Sequence, residues 1–263
     1  IDPQSGQLLV RGTPVPAETT TASTADLTDM VHIHAGAFLM GCEPDGGECE
    51  EYEGPVHEVY LDAFYIDAFE VSNARYSECY LAGVCSSPHE GYTSTRGDYH
   101  TNSSFVDYPV VYVDWFQARD FCAWAGKELP TEAQWAKAAG DGEGIYPWGD
   151  ADPDCSLLNF DSDEEEACVG DTSAVDEQPD GASPLGVYNM AGNVSEWTAD
   201  RYSDTAFSIE PTENPTGPRA GTTRVIRGGS WNYPAGHSRN DNRDDQDPNS
   251  FFDDLGFRCV SNN

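Results

Sequence analysis

Twelve residues, Gly186-Val187-Tyr188-Asn189-Met190-Ala191-Gly192-Asn193-Val194-Ser195-Glu196-Trp197, constrain the fold more than any other stretch. Glycines, amides, a carboxylate and a tryptophan stand too densely here for an ordinary helix or strand. Asn189 and Glu196 offer side-chain oxygens, and Gly192 and Val194 offer backbone carbonyls, all of them hard donors. Calcium takes about 6–8 oxygen ligands and tolerates irregular geometry, so the pattern suits it. A tight turn in which asparagine supplies left-handed backbone would use the same residues. Spacing alone does not separate these readings.

The eight cysteines, at 42, 49, 79, 85, 122, 155, 168 and 259, form an even set with three close pairs. That pattern implies disulfides made in an oxidising compartment. No C-x2-C spacing of the kind thiolate metal sites favour is present. Proximity pairs Cys42 with Cys49, Cys79 with Cys85 and Cys155 with Cys168, which leaves Cys122 with Cys259. Forty-seven acidic against thirteen basic residues give a formal charge of −34. Such a surface repels nucleic-acid phosphates, and it suits cation binding, high salt or the extracellular medium. No apolar run reaches the ~18–20 residues a membrane helix needs. The sequence starts at Ile1 with no leader, so a signal peptide is expected to have been removed outside this numbering.

Residues 1–26, rich in Thr, Pro, Ser and Ala, read as a tether, and 27–263 as one domain. Val31–Met40 reads as the first strand and His57–Phe69 as a second strand-like stretch, with an acidic disulfide-clamped loop, 42–54, between them. Ser72 is placed to cap a helix running to about Leu81 that Gly83 ends. Asp114 is placed to cap another over Trp115–Ala125, stopped by Gly126. Thr131 and Gln134 have capping-box spacing for a third helix ending near Gly140. Between the first two helices, 86–107 reads as a long polar loop.

The opening segment resembles the GNVWEW signature of the formylglycine-generating enzyme (sulfatase-modifying factor) family. Other landmarks follow in the family's order: Phe38-Leu39-Met40-Gly41, Pro55-Val56-His57-Glu58-Val59, Glu70-Val71-Ser72-Asn73, Pro109-Val110, and Asp114-Trp115. Then come Cys122 to Trp135, Tyr146-Pro147-Trp148-Gly149, Arg227-Gly228-Gly229-Ser230-Trp231 and Gly256-Phe257-Arg258. The resemblance implies an α+β variant of the C-type lectin fold, with small twisted antiparallel sheets, a few short helices and much loop. It implies calcium at Asn189, Gly192, Val194 and Glu196, and a disulfide at the Cys122 and Cys259 positions. A second calcium is implied at Asn159 and Phe160, completed by Asp161, Asp163 or Asp171 where this sequence departs from the pattern; a solvated acidic loop is the alternative there.

The family's oxidases bind Cu(I), a soft ion, through two thiolates shortly after the Gly-Gly-Ser-aromatic frame. Here those positions hold Tyr233 and Ser238, so no copper and no formylglycine chemistry is expected. The related sulfoxide synthases hold iron on histidines of an extra helical domain that this chain lacks. His32, His34 and His57 lie in strand-like stretches; a non-haem site would need the loop residues His89, His100 and His237 to meet, and no spacing supports that. Residues 232–253 instead carry binding-loop chemistry between two fixed frames. Trp231, Asn232, Tyr233, His237, Arg239, Asn240, Asn242, Arg243, Phe251 and Phe252 are the candidate contacts. The segment resembles the variable region of retroelement-diversified proteins, with turn-forming asparagines as the plainer account. The function expected is a non-catalytic, extracellular, periplasmic or cell-surface module for a protein or glycan ligand. A metal-dependent oxidase acting on a thiol or peptide is the alternative.

Overall fold

A computed structural model describes residues 29–43, 49–140, 144–161, 167–209 and 211–263. The expected tether, and Asp163 with its neighbouring glutamates, lie outside the described residues. Strands β1 (Met30–Ile33) and β2 (Gly36–Met40) occupy what reads in sequence as one strand. The chain leaves one sheet at His34-Ala35 and enters another: β1 pairs with β4 (Phe64–Asp67), and β2 with β3 (His57–Leu61). His57–Phe69 divides likewise, into β3 and β4. An apolar run cannot reveal such a break, because both halves carry the same alternation.

Helix α1 (Asn73–Leu81) starts where Ser72 Oγ accepts the Arg75 N–H. Helix α2 (Trp115–Trp124) opens on a reciprocal capping box between Asp114 and Gln117. Helix α3 (Glu132–Gly140) has the same device between Thr131 and Gln134. Each cap satisfies amide donors that a first helical turn leaves orphaned. Every residue of α3 is buried, so it runs through the interior rather than over it.

The remaining elements are β5 (Ser195–Arg201), a short helix α4 (Ala206–Ile209), β6 (Arg224–Arg227), β7 (Asp244–Gln246), β8 (Leu255–Gly256) and β9 (Val260–Ser261). They complete a three-stranded sheet β1-β4-β9 and a four-stranded sheet β7-β6-β5-β8. All ladders are antiparallel except β5 with β8, which is parallel. One core cluster packs α3, through Ala133, Trp135 and Ala138, against β1–β4. A second packs α1 and α2 around Phe121, Trp197 and Phe257. All four expected disulfides are present, and Cys122–Cys259 ties α2 to the residue before β9.

Candidate functional site

Asn189 and Asn193 both adopt left-handed backbone, with φ of 51° and 61°, and Gly192 between them has φ 75°. This tight winding turns both amides inward. Asn189 Nδ2 donates to Glu70 Oε2 at 2.8 Å, and Asn193 Nδ2 to Glu70 Oε1 at 2.9 Å. At Gly192 a Cβ would stand 2.5 Å from the Asn159 carbonyl oxygen, so only glycine fits. Glu70 is fully buried; desolvation, reinforced by the nearby Glu196 charge, pushes its carboxyl up to about 8 against the opposing pull of Arg258.

Glu196, expected as the carboxylate of a calcium site, is the counterion of Arg258 in this structure. The guanidinium reaches Oε1 at 2.6 Å and Oε2 at 2.8 Å, and Trp135 Nε1 donates to Oε2 at 2.9 Å. Glu70 is the carboxylate that both asparagine amides reach, and the Val175 carbonyl accepts from Asn189 as well. These contacts all run from amide N–H groups, so the Glu70 oxygens and the Val175 carbonyl face hydrogen-bond donors that hold the turn closed. Glu70 appears in the sequence only within the landmark Glu70-Val71-Ser72-Asn73; an acidic residue inside a strand-to-helix junction was the signal available.

The second expected site fits in part. Asn159 Oδ1 is buried and has no hydrogen-bond partner, as a ligand oxygen facing a cation would. Asp171, however, is saturated: Arg96 Nη1 lies 2.9 Å from Oδ1, while Thr93 Oγ1, Thr95 N and Thr95 Oγ1 all donate to Oδ2. These donors hold its carboxyl below the usual range against the opposing effect of burial. The Phe160 carbonyl accepts from Cys168 N, and the Asp161 amide donates to the Tyr233 carbonyl.

The loop 232–253 divides into anchors and a surface. Arg239 Nη2 makes a fork to Glu53 at 2.8 and 2.9 Å, and Asn242 also donates to Glu53. Arg243 pairs with both oxygens of Glu132 beneath Phe207, its Cζ 4.2 Å from that ring's centroid. Asn240 and Trp231 are buried, and Phe251 stacks on His89 with ring centroids 4.0 Å apart. Arg239, Asn240, Arg243 and Trp231, expected as contacts, therefore have their side chains turned into the fold. What faces outward is Asn232, Tyr233, His237 and Phe252, around two small clefts lined also by Ser195, Ile226 and Gln246. Ser238 lies fully buried, its Oγ 2.5 Å from where a Cβ on Gly229 would stand.

The loop histidines do not converge: His89 bonds Asp114, His100 bonds Asn73, and His237 packs on Tyr233. Among the described residues the grouping with metal-ligand spacing is Cys42, Cys49 and Glu53. Its sulfurs are joined in a disulfide and offer no thiolate.

This division of the loop gives a direct expectation. Tyr233→Ala and Phe252→Ala should each change stability by no more than about 0.5–1 kcal/mol, the range of exposed positions. Arg243→Ala should cost about 3–5 kcal/mol, since it strands the buried Glu132 charge. Urea titrations of the three variants check this; a Tyr233 variant as damaged as the Arg243 variant would place Tyr233 in the core.

The sulfatase-modifying factor enzyme 1-like domain profile matches residues 15–263. The chain belongs to that family. The formylglycine-generating enzyme of Mus musculus is 32% identical over 285 residues, covering 89% of this chain and 75% of that protein. A serine/threonine-protein kinase, pkn1, of Chlamydia caviae is 35% identical over 247 residues, or 89% of this chain. The chain spans only 38% of that kinase's length. Among solved structures, PvdO from Pseudomonas aeruginosa superposes with a TM-score of 0.72 at 26% identity, over 88% of this chain and 93% of PvdO. Treponema denticola variable protein 1 gives 0.69 at 22% identity, over 89% and 95% of the two chains, a likeness of fold alone.

Proposed function

We propose that this family member is a non-catalytic recognition module of an extracellular, periplasmic or cell-surface protein, stabilised by calcium and disulfides. One observation carries the reading: Tyr233 and Ser238 stand at the positions where the family's oxidases place copper-binding thiolates, and all eight cysteines are paired in disulfides. A phenol and an aliphatic hydroxyl are hard oxygen groups and do not supply the soft thiolates that such a Cu(I) site uses. The exposed Asn232, Tyr233, His237 and Phe252 form the contact surface for a protein or glycan ligand. The buried Arg239–Glu53 and Arg243–Glu132 pairs hold it in place from below. Pre-ordering of this kind reduces the entropy lost on binding.

Calcium, in this reading, belongs at Asn189, Gly192, Val194 and Glu196, whose side-chain and carbonyl oxygens are hard donors, and its role is to hold the turn rather than to react. Binding confined to the folded state adds directly to stability. Elemental analysis of protein purified without chelator is expected to find calcium and no stoichiometric copper or iron. Excess chelator is expected to lower the melting temperature, and Glu196→Gln to abolish most of that response. Stoichiometric copper or iron would overturn the proposal in favour of a metal-dependent oxidase, and a melting curve indifferent to chelation of verified calcium-free protein would remove calcium from it.

A further inference from the structure

Three cations of this acidic molecule share one cleft. Of its thirteen basic residues, Arg119, Lys127 and Arg224 line a single cleft of about 650 Å³, which shares no lining residue with the clefts under the 232–253 loop. Ligand cavities are commonly ~300–1,000 Å³. Two carboxylates, Asp62 and Glu128, also line it, and both are already engaged: Asn214 Nδ2 donates to Asp62, and Asn262 Nδ2 to Glu128.

Arg224 is the unusual member. It opens β6 directly opposite Arg201 of β5, an antiparallel pairing that sets two like charges face to face. Like charges so placed are destabilising unless something neutralises them. Lys127 has Asp67 and Arg119 has Asp120, but among the described residues no carboxylate lies within ion-pair distance of Arg201 or Arg224. Asp200, the nearest acid in influence, is buried and accepts the Glu132 N–H at the start of α3. Arg224 uses Nη1 on the Ala199 carbonyl at 2.6 Å, and its Cζ lies 3.8 Å from the centre of the Trp115 ring. Trp115 is fixed in turn by Nε1–H donating to the Thr198 carbonyl, and Arg119 approaches the same ring at 5.4 Å. Burial and the two arginine neighbours all push the Arg224 guanidinium towards losing charge, and a bound anion would relieve that.

We propose that this cleft is a second binding site, for a small ligand bearing one oxyanion group, carboxylate or sulfate, on an otherwise uncharged body. The guanidinium fork of Arg224 takes the oxyanion and the apolar lining from Trp115, Leu129 and Ala199 takes the body. Guanidinium matches planar and tetrahedral oxyanions through paired N–H donors. A polyanion is not the occupant, because the overall charge of −34 repels it at long range while a monoanion has little to lose.

Titration at constant ionic strength with benzoate, phenyl sulfate and the neutral benzamide, read by calorimetry and by the melting temperature, tests the site. Both anions are expected to bind saturably and raise the melting temperature, with benzamide at least tenfold weaker. Arg224→Gln is expected to weaken both anions at least tenfold, and the preference of the parent between them assigns carboxylate or sulfate. Arg224→Lys keeps the charge and loses the fork, so it should retain folding and lose most of the affinity; Arg119→Gln, at the cleft's rim, should lose a smaller factor. Equal binding of benzamide and benzoate overturns the proposal, as does unchanged anion affinity in folded Arg224→Lys. If the glutamine variant fails to fold, the lysine variant decides alone. Binding in the parent only at tens-of-millimolar concentrations overturns it too.

Discussion

Replacing Cys122 and Cys259 together with alanine is expected to cost about 5 kcal/mol, against about 2 kcal/mol for Cys79 with Cys85. The contrast comes from loop length. A cross-link removes entropy from the unfolded chain in proportion to the logarithm of the loop it closes. Cys122–Cys259 spans a sequence separation of 137, and Cys79–Cys85 one of 6. Cys79, Cys122 and Cys259 are all fully buried and Cys85 nearly so, which makes the packing losses comparable and leaves the loop to decide. For a chain of this size the larger loss corresponds to a fall of roughly 10–20 °C in melting temperature. The long bridge also sits beside the Glu128–Val260 contact and the β4–β9 pairing, so its removal frees the strand that closes the first sheet. Denaturant titration at 25 °C of the two double variants is the measurement. Equal losses would mean that the unfolded chain is already held near its crossing point by something other than the bridge.

What the sequence reveals of this fold is what is local in it. Ser72, Asp114 and Thr131 each announce a helix because the cap and the amides it satisfies lie within three residues. The short disulfides are legible for the same reason. Strands β5 to β9 are not, because each is two to seven residues long and takes its partner from far along the chain. β5, for instance, pairs with β6 through Glu196 and Arg227 and with β8 through Glu196 and Gly256. Neither segment has enough alternation to stand out alone.

The candidate site divides along the same line. That residues 189–193 must wind tightly follows from their own Asn and Gly content. That Arg239 and Arg243 are anchors does not, since Glu53 and Glu132 lie 186 and 111 positions away. An arginine in a polar loop has the same local signature whether it faces solvent or a buried acid. The frames on either side, Arg227-Gly228-Gly229-Ser230-Trp231 and Gly256-Phe257-Arg258, carried the better clue: both contain an arginine, and both arginines are buried.

Arg258→Met is expected to cost about 3–5 kcal/mol, the range for breaking a buried ion pair by removing one partner. Glu196 would keep its buried charge with only the Trp135 N–H beside it, and the Tyr188, Asp67 and Ala68 carbonyls would lose a donor. The second consequence concerns Glu70. Its carboxyl titrates near 4.5 when unfolded and is pushed to about 8 in the fold, with Arg258 the main charge opposing that rise. A carboxyl raised in this way binds a proton in the folded state that the unfolded chain has already released. Stability therefore falls as pH rises from about 4.5 to about 8 and levels off above. Glu70→Gln should remove that slope, and the difference between parent and variant isolates it from the repulsion among the other carboxylates, which both proteins share. The titration is run in chelator, so that the slope reads the carboxyl and not the binding of a metal. In Arg258→Met the opposing charge is gone, so the decline should extend to higher pH than in the parent. Denaturant titrations at pH 5, 6.5, 8 and 9.5 measure all three proteins. A Glu70→Gln variant with the parent's slope in chelator, or an Arg258→Met variant that loses less than about 1 kcal/mol, would mean that the carboxylates around this turn are not the electrostatic centre of the fold.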